Sequence, residues 1–375
     1  MNTLLKTTAL SAMLTAAAAL PSMADVQVPN TYLTIDGYVA SSATISKDDS
    51  ANRDYSLFDS QNRGLDAVKF GVKAEYQGFS AYVSALYIPE GTNKKRFDEA
   101  GILDAYVSYE IKNGDNKFNF RAGKFVTDFG FESFHTVNNA FMTAGYWSGG
   151  DWWLAPAYHS GIRAEFSNSN FTIGGSIVDS LAAGRGFYEG DGDLHNVGFE
   201  VFAKYTGIQG LTVFAGVGFD SKNDEGLGIG FGGSAIQFYQ KKHVLVDVWA
   251  RYEINQNFNI GAEFLFEDMK FAASGLGSAS PRPHYTWIIF GEFINTGTLF
   301  SPGDRFSVAA RVSGKRLDEG AGISGYHDSY SEYQLSLAPT YKLNENLSFR
   351  IEGSVRNGEG GYDAWFIGAQ VLLKF

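Results

Sequence analysis

The residues of this chain that could do chemistry form no recognisable catalytic or metal-binding motif. The chain contains no cysteine, which excludes thiolate metal sites, cysteine nucleophiles and disulfide scaffolds. His159 and Ser160 are adjacent, and adjacent residues of a strand point to opposite faces, so they cannot form a catalytic dyad. The histidines lack the spacing of metal ligands, and they lie at positions 135, 159, 195, 243, 284 and 327. We therefore predict no catalytic residue, no metal site and no cofactor.

Two further segments match the residue pattern of a binding motif without its expected structural context. Residues 228–233 read G-x-G-x-x-G, but no strand-to-helix unit surrounds them as a dinucleotide site requires. Residues 191–193 (Asp-Gly-Asp) could bind Ca²⁺ in a surface loop, although a solvated acidic turn is the simpler interpretation. The 30 basic residues against 41 acidic residues argue against a nucleic-acid partner, because neutralising phosphates needs an excess of Lys and Arg.

The N-terminus predicts an export signal. Lys6 gives a positive start, residues 9–20 are apolar, and residues 22–24 (Ser-Met-Ala) resemble a cleavage site. The apolar run is shorter than the ~20 residues of a helical membrane span, and no longer run follows. We predict a cleaved signal peptide over residues 1–24 and a single domain over residues 25–375.

From residue 31 onward, apolar and polar residues alternate with period two. Val68, Phe70 and Val72 share one face of a segment whose other face carries Lys69 and Lys73. A helix would scatter these charges around its axis, so the pattern predicts β-strands. Roughly sixteen such segments occur. They span residues 31–41, 67–77, 79–88, 100–111, 117–126, 159–167, 171–179, 195–206, 211–220, 243–254, 258–268, 284–294, 305–315, 329–342, 347–356 and 362–375.

The connections between these segments alternate in length. Short pieces such as residues 77–78 and 255–257 alternate with long ones such as 42–66 and 127–158. Short turns on one side and long loops on the other are typical of an outer-membrane β-barrel, and aromatic residues flank the short turns as an interfacial girdle would. A soluble β-sandwich is the alternative. We predict an all-β transmembrane antiparallel β-barrel of about sixteen strands, with short periplasmic turns and long extracellular loops.

If the apolar side chains face lipid, the opposite side chains face a water-filled lumen. Opposed charges there would set up a field across the pore, although ordinary solvated ion pairs are the simpler interpretation. The acidic residues slightly outnumber the basic ones, which predicts a mild preference for cations. The predicted lumen-lining residues are Lys73, Arg121, Arg163, Arg251, Arg311, Arg350, Glu75, Asp104, Glu165 and Glu263, with Glu200, Asp247 and Glu352 among further acidic residues of the same parity.

Residues 127–158 form the longest connection and are rich in aromatic side chains. Such rings favour burial, so we predict that this loop folds inward and constricts the lumen. An extracellular cap and a subunit contact are the alternatives. The residues assigned to the constriction are Asp128, Glu132, His135, Trp147, Asp151, Trp152 and Trp153.

Two features resemble known protein families. The final segment ends on Phe375, which resembles the C-terminal strand of Gram-negative outer-membrane barrels, whose terminal aromatic residue the assembly machinery recognises. Residues 103–108 (LDAYVS), 121–125 (RAGKF), 129–132 (FGFE) and 159–163 (HSGIR) resemble the OmpL-like putative β-barrel porin family.

The porin resemblance implies an outer-membrane protein that lets small hydrophilic solutes and ions diffuse passively through its lumen. It also implies contact with outer-membrane lipid and with the barrel-assembly machinery, and a homotrimer as the family expectation. It supplies no catalytic residue. A substrate-specific channel, for example for sugars, and a closed barrel acting as an enzyme or adhesin remain alternatives.

Overall fold

A computed structural model describes most of the barrel-forming part of the chain. The predicted signal peptide lies outside the described residues, so its cleavage stays a prediction. The structure describes residues 26–27, 32–48, 53–54, 67–87, 101–132, 139–143, 158–179, 181, 197–220, 227–231, 234–273, 283–295, 299–300, 303–317, 330–359 and 362–375.

Sixteen long strands of these described residues close into one antiparallel barrel. They are β1 (Leu33–Asp48), β2 (Ala67–Tyr76), β3 (Phe79–Tyr87), β4 (Gly101–Asn113), β5 (Asn116–Val126), β6 (Tyr158–Ser167), β7 (Phe171–Val178), β8 (Gly198–Ile208), β9 (Leu211–Asp220), β10 (Ser234–Asn255), β11 (Phe258–Ala273), β12 (Pro283–Asn295), β13 (Arg305–Leu317), β14 (Tyr330–Lys342), β15 (Leu347–Gly358) and β16 (Tyr362–Lys374). β16 closes the ring by pairing with β1. The described residues contain no helix that could cross a membrane. The predicted antiparallel barrel is confirmed.

Alternation along each strand separates an apolar outer surface from a polar interior. In β2, Val68 and Phe70 are 39% and 48% exposed on the outside. On the inside of other strands, Asp247 and Arg311 are at most 1% exposed. Charged groups are buried inside while large apolar groups are exposed outside, which is the reverse of a soluble sandwich and suits a barrel surrounded by lipid.

The short connections gather at one end of the barrel and are built from turn-forming residues. Gln77 and Gly78 both have positive φ (48° and 85°), which is the two-residue hairpin geometry that glycine favours. Asn168, Asn255 and Asn344 each accept two hydrogen bonds of 2.8–3.1 Å from backbone N–H groups two and three residues ahead. These local bonds explain why short Asn-rich and Gly-rich pieces join neighbouring strands.

Some predicted loops contain strand instead. β1 continues to Asp48 and pairs with β16 along this extension, and β10 begins at Ser234 rather than at residue 243. The segment Leu227–Phe231 pairs with the start of β10 as an added hairpin strand. The predicted end of the first strand at residue 41 and the predicted start of a strand at residue 243 were therefore wrong. Small and polar residues, such as the buried Ser42 and Thr44, dominate the β1 extension, so its alternation in hydropathy is weak.

Candidate pore-lining site

The predicted lumen residues all lie within the described strands, but they do not form one cluster. Glu75 and Arg251 are exposed near the short-turn end, where Glu75 pairs with Lys73 at 2.7 Å. Lys73, Arg121 and Glu165 are partly buried. The remaining five are buried, namely Asp104, Arg163, Glu263, Arg311 and Arg350.

Residues 127–143, here called the inner segment where they are described, begin on a cluster of buried charges. Thr127 donates its hydroxyl to Glu200 Oε1 at 2.8 Å, and Arg163 Nη2 donates to Glu200 Oε2 at 3.0 Å. Arg163 also pairs with Asp128 of the segment. His159 Nε2 lies 3.2 Å from Glu200 Oε1. Hydrogen bonds between charged partners are among the stronger ones in proteins, so this cluster fixes the segment where it leaves β5.

Two wall carboxylates hold the next residues by their backbone. Gly130 N donates to Asp247 Oδ2 at 2.7 Å, and Phe131 N donates to Glu263 Oε1 at 2.8 Å. Gly130 has φ 104°, a conformation that glycine adopts without strain. This backbone path presents two successive N–H groups to β10 and β11.

Two glycines of the wall leave room for the aromatic rings of the segment. A Cβ added at Gly216 would lie 2.8 Å from the ring of Phe129, and one at Gly261 would lie 2.6 Å from the ring of Phe131. Phe131 also packs against Trp249 and Phe290, with ring centroids 5.9 and 5.7 Å apart. The wall thus accommodates the rings of Phe129 and Phe131.

The far part of the inner segment binds β13 and β15. Arg311 donates to Glu132 Oε1 at 2.6 Å and to the Thr143 carbonyl at 2.9 Å. Glu352 accepts the Met142 and Thr143 N–H groups at 2.5 and 2.9 Å, and the Thr143 hydroxyl at 2.5 Å. Arg350 donates to the Phe141 carbonyl at 2.7 Å. Each wall group lies on the side of its strand opposite the exposed apolar residues.

Several of these partners were not part of the predicted site. Thr127, Phe141, Met142 and Thr143 carry no charge and no motif, so no sequence signal identifies them. His135, Trp147, Asp151, Trp152 and Trp153 lie outside the described residues, and their predicted role is not tested.

A second buried cluster ties β9, β10 and β11 together. His243 Nδ1 lies 2.9 Å from Asp220 Oδ2, and His243 Nε2 lies 2.6 Å from Glu267 Oε1. Asp220 Oδ1 accepts the N–H of Leu181, the third residue after β7, at 2.7 Å. Within the described part of the chain, no group of three or more His, Asp or Glu side chains has a geometry that could hold a metal ion.

The family described as putative beta-barrel porin-2, OmpL-like, matches residues 32–368. The chain belongs to this porin family. The match begins one residue before β1 and ends within β16, so it covers the barrel wall except for the end of its last strand. The family suggested by the short motifs is thereby confirmed, and the family and the barrel together support an outer-membrane channel.

Solved outer-membrane proteins share the fold at low sequence identity. Salmonella typhi OmpF in complex with daunomycin is 12% identical at a TM-score of 0.60, covering 94% of this chain and 100% of its own. The Acinetobacter baumannii outer-membrane channel DcaP is 11% identical at a TM-score of 0.57, again covering 94% of this chain and 100% of its own. Vibrio cholerae OmpT in its trimer form is 12% identical at 0.54, covering 92% of this chain and 99% of its own. No curated protein matches the chain.

Proposed function

We propose that this protein is a diffusion porin for small hydrophilic solutes and ions, with a lumen narrowed by residues 127–158. The observation that carries the proposal is the binding of the inner segment by inward-facing wall charges, from Arg163 on β6 to Glu352 on β15. Backbone bonded to the inside of a barrel takes up space that solute would otherwise cross.

The proposal also accounts for the buried charge of the wall. Carboxylates such as Asp247 and Glu263 are at most 4% exposed, and an unpaired buried charge is strongly unfavourable. Hydrogen bonds from the inner segment stabilise them, so the wall and the segment require each other. Export by a signal peptide over residues 1–24 and insertion by the barrel-assembly machinery belong to the same proposal.

The test is conductance of the refolded mature chain in a planar lipid bilayer, with and without residues 133–150. The deletion removes the stretch that contains the Glu352-bound residues, so we expect a larger single-channel conductance. Shortening the β13–β14 connection at residues 318–329 controls for loop removal in general. An unchanged conductance in the deletion variant would refute the constriction, and absence of conductance steps in the wild type would refute the porin itself in favour of a closed barrel.

We also propose a homotrimer, supported by the trimer form of Vibrio cholerae OmpT. The expected result is a detergent-corrected mass of three chains in light scattering, together with conductance steps that come in threes. A mass of one chain would contradict this assembly.

A further inference from the structure

The inner segment leaves one part of the wall open. The hydrogen bonds and ion pairs of the segment described above reach β6, β8, β10, β11, β13 and β15. We call the inward-facing side chains of β1–β5 the open arc. If the lumen conducts, solutes pass along this arc.

The inner segment donates hydrogen bonds to the buried carboxylates on the other part of the wall. Glu200, Asp247, Glu263 and Glu352 are each at most 4% exposed, and each accepts a hydrogen bond from the segment. Their charge is therefore directed into bonds with the chain itself. The excess of acidic residues that predicts a cation preference is concentrated where a solute has little access to it.

Basic residues mark the open arc, and Lys69, Lys73 and Lys112 have carboxylate neighbours there. Lys73 pairs with Glu75 at 2.7 Å, and Lys112 pairs with Glu110 at 2.8 Å. Lys69 has two carboxylates at 3.9 and 4.0 Å. Within the described residues, Arg121 has no carboxylate oxygen within 4 Å, and Glu165 is its more distant acidic neighbour.

The register across β5 and β6 explains this difference. Arg121 lies directly opposite Arg163, an arrangement of like charges that is unfavourable unless each is compensated. Arg163 pairs with both Asp128 and Glu200. Arg121 instead lies on an aromatic ring, with its guanidinium carbon 4.6 Å from the centroid of Tyr106, and its Nε is buried without a hydrogen-bond partner.

Aromatic and hydroxyl groups surround the Arg121 guanidinium on the open arc. Tyr106 and Tyr82 lie side by side with ring centroids 5.7 Å apart, and Tyr82 donates its hydroxyl to Asp36 at 2.9 Å. Ser108, the cross-strand neighbour of Arg121, is hydrogen-bonded to Ser80 at 2.6 Å. The tyrosines are thus fixed next to a guanidinium that forms no ion pair within 4 Å.

We propose that Arg121 and Tyr106 form a subsite for small organic anions that carry a carboxylate on a flat apolar body. A guanidinium lying on a ring keeps its edge N–H groups available for a bidentate carboxylate, and the two tyrosine rings offer surface to the flat body. The subsite rests on the proposed open pore and reverses, at this point of the wall, the cation preference predicted from charge counts.

The test uses the refolded wild-type chain in planar bilayers and compares benzoate, benzamide and acetate as blockers of the current. Benzamide has the ring without the charge, and acetate has the charge without the ring. We expect benzoate to half-block at a concentration about tenfold lower than benzamide, because charge-assisted hydrogen bonds exceed neutral ones. We expect a gain of about threefold over acetate from the ring contact. Equal half-blocking concentrations for the three compounds would overturn the subsite.

Substitutions assign the effect to the two residues. Arg121→Gln should remove the preference for benzoate over benzamide, and Tyr106→Leu should remove the preference for benzoate over acetate. Lys204→Gln, which removes one positive charge from β8, is the matched control and should keep both preferences. An Arg121→Gln channel that still prefers benzoate over benzamide would overturn the assignment. If that variant does not fold, the wild-type comparison still decides the subsite. Conductance without any preference overturns only the subsite, whereas absence of conductance overturns the porin as well.

Discussion

Glu352 is the wall residue whose change should release the far part of the inner segment. Its carboxylate is fully buried and accepts three hydrogen bonds from Met142 and Thr143, while Arg311 Nη2 lies 3.7 Å away. Glu352→Gln keeps the size of the side chain and one carbonyl oxygen. Its amide NH₂ cannot accept hydrogen bonds, so donors that the second oxygen serves lose their acceptor.

The expected loss of free energy in Glu352→Gln follows from the number of hydrogen bonds that the carboxylate accepts. A hydrogen bond to a charged group contributes about 1.5–3 kcal/mol and one to a neutral group about 0.5–1.5 kcal/mol, so removing the charge weakens each of the three bonds by about 1 kcal/mol and destabilises the bound segment by about 3 kcal/mol. That free energy corresponds to a change of about a hundredfold in the equilibrium between bound and released segment. Arg311 keeps its 2.6 Å bond to Glu132, so the barrel itself should remain folded.

Hydrogen–deuterium exchange followed by mass spectrometry measures this equilibrium at the amides concerned. Peptides that contain Met142 and Thr143 should exchange about a hundredfold faster in the variant, since exchange of a protected amide tracks its local opening. Glu75→Gln removes the same charge from an exposed pair with Lys73 and should change the exchange by less than about threefold, as surface ion pairs contribute little. Equal exchange in Glu352→Gln and wild type would refute the role given to this carboxylate.

Two further predictions concern the stability and closure of the barrel. Arg311→Met leaves buried carboxylates without their partner and should lower the free energy of unfolding in urea, measured in detergent micelles, by about 3–5 kcal/mol. Arg251→Met, at an exposed position, should change this free energy by less than about 1 kcal/mol. Equal losses in the two variants would contradict the importance of the buried network. Gly37→Val places a Cβ 2.7 Å from the ring of Phe375, where the C-terminus closes the barrel, so less of the chain should run as the compact folded band in unheated gels. Gly353→Ala has nothing within 4 Å of the new Cβ and should fold like the wild type, so similar folded fractions in both variants would count against the closure argument.

The sequence by itself determined the barrel class. Alternation such as Val68 against Lys69 is a local property, because each strand has one face toward apolar surroundings and one toward polar ones. Turns such as the one at Asn255 are also local, since the side chain bonds to N–H groups two and three residues ahead. Both signals can be read within about ten residues, the length of a membrane strand. The family was accessible for a related reason, as each of its motifs is a short run within one strand or at the start of the inner segment.

Only the tertiary structure decided how the charges are used. Met142 and Glu352 are separated by 210 positions, and nothing in either local sequence indicates that they bond. Counting charges weights Glu263 and Arg121 equally, but the first is buried against Phe131 N while the second has no described carboxylate within 4 Å. Alternation tells which side of a strand faces inward, whereas partners inside the barrel depend on how closure brings distant strands and the inner segment together.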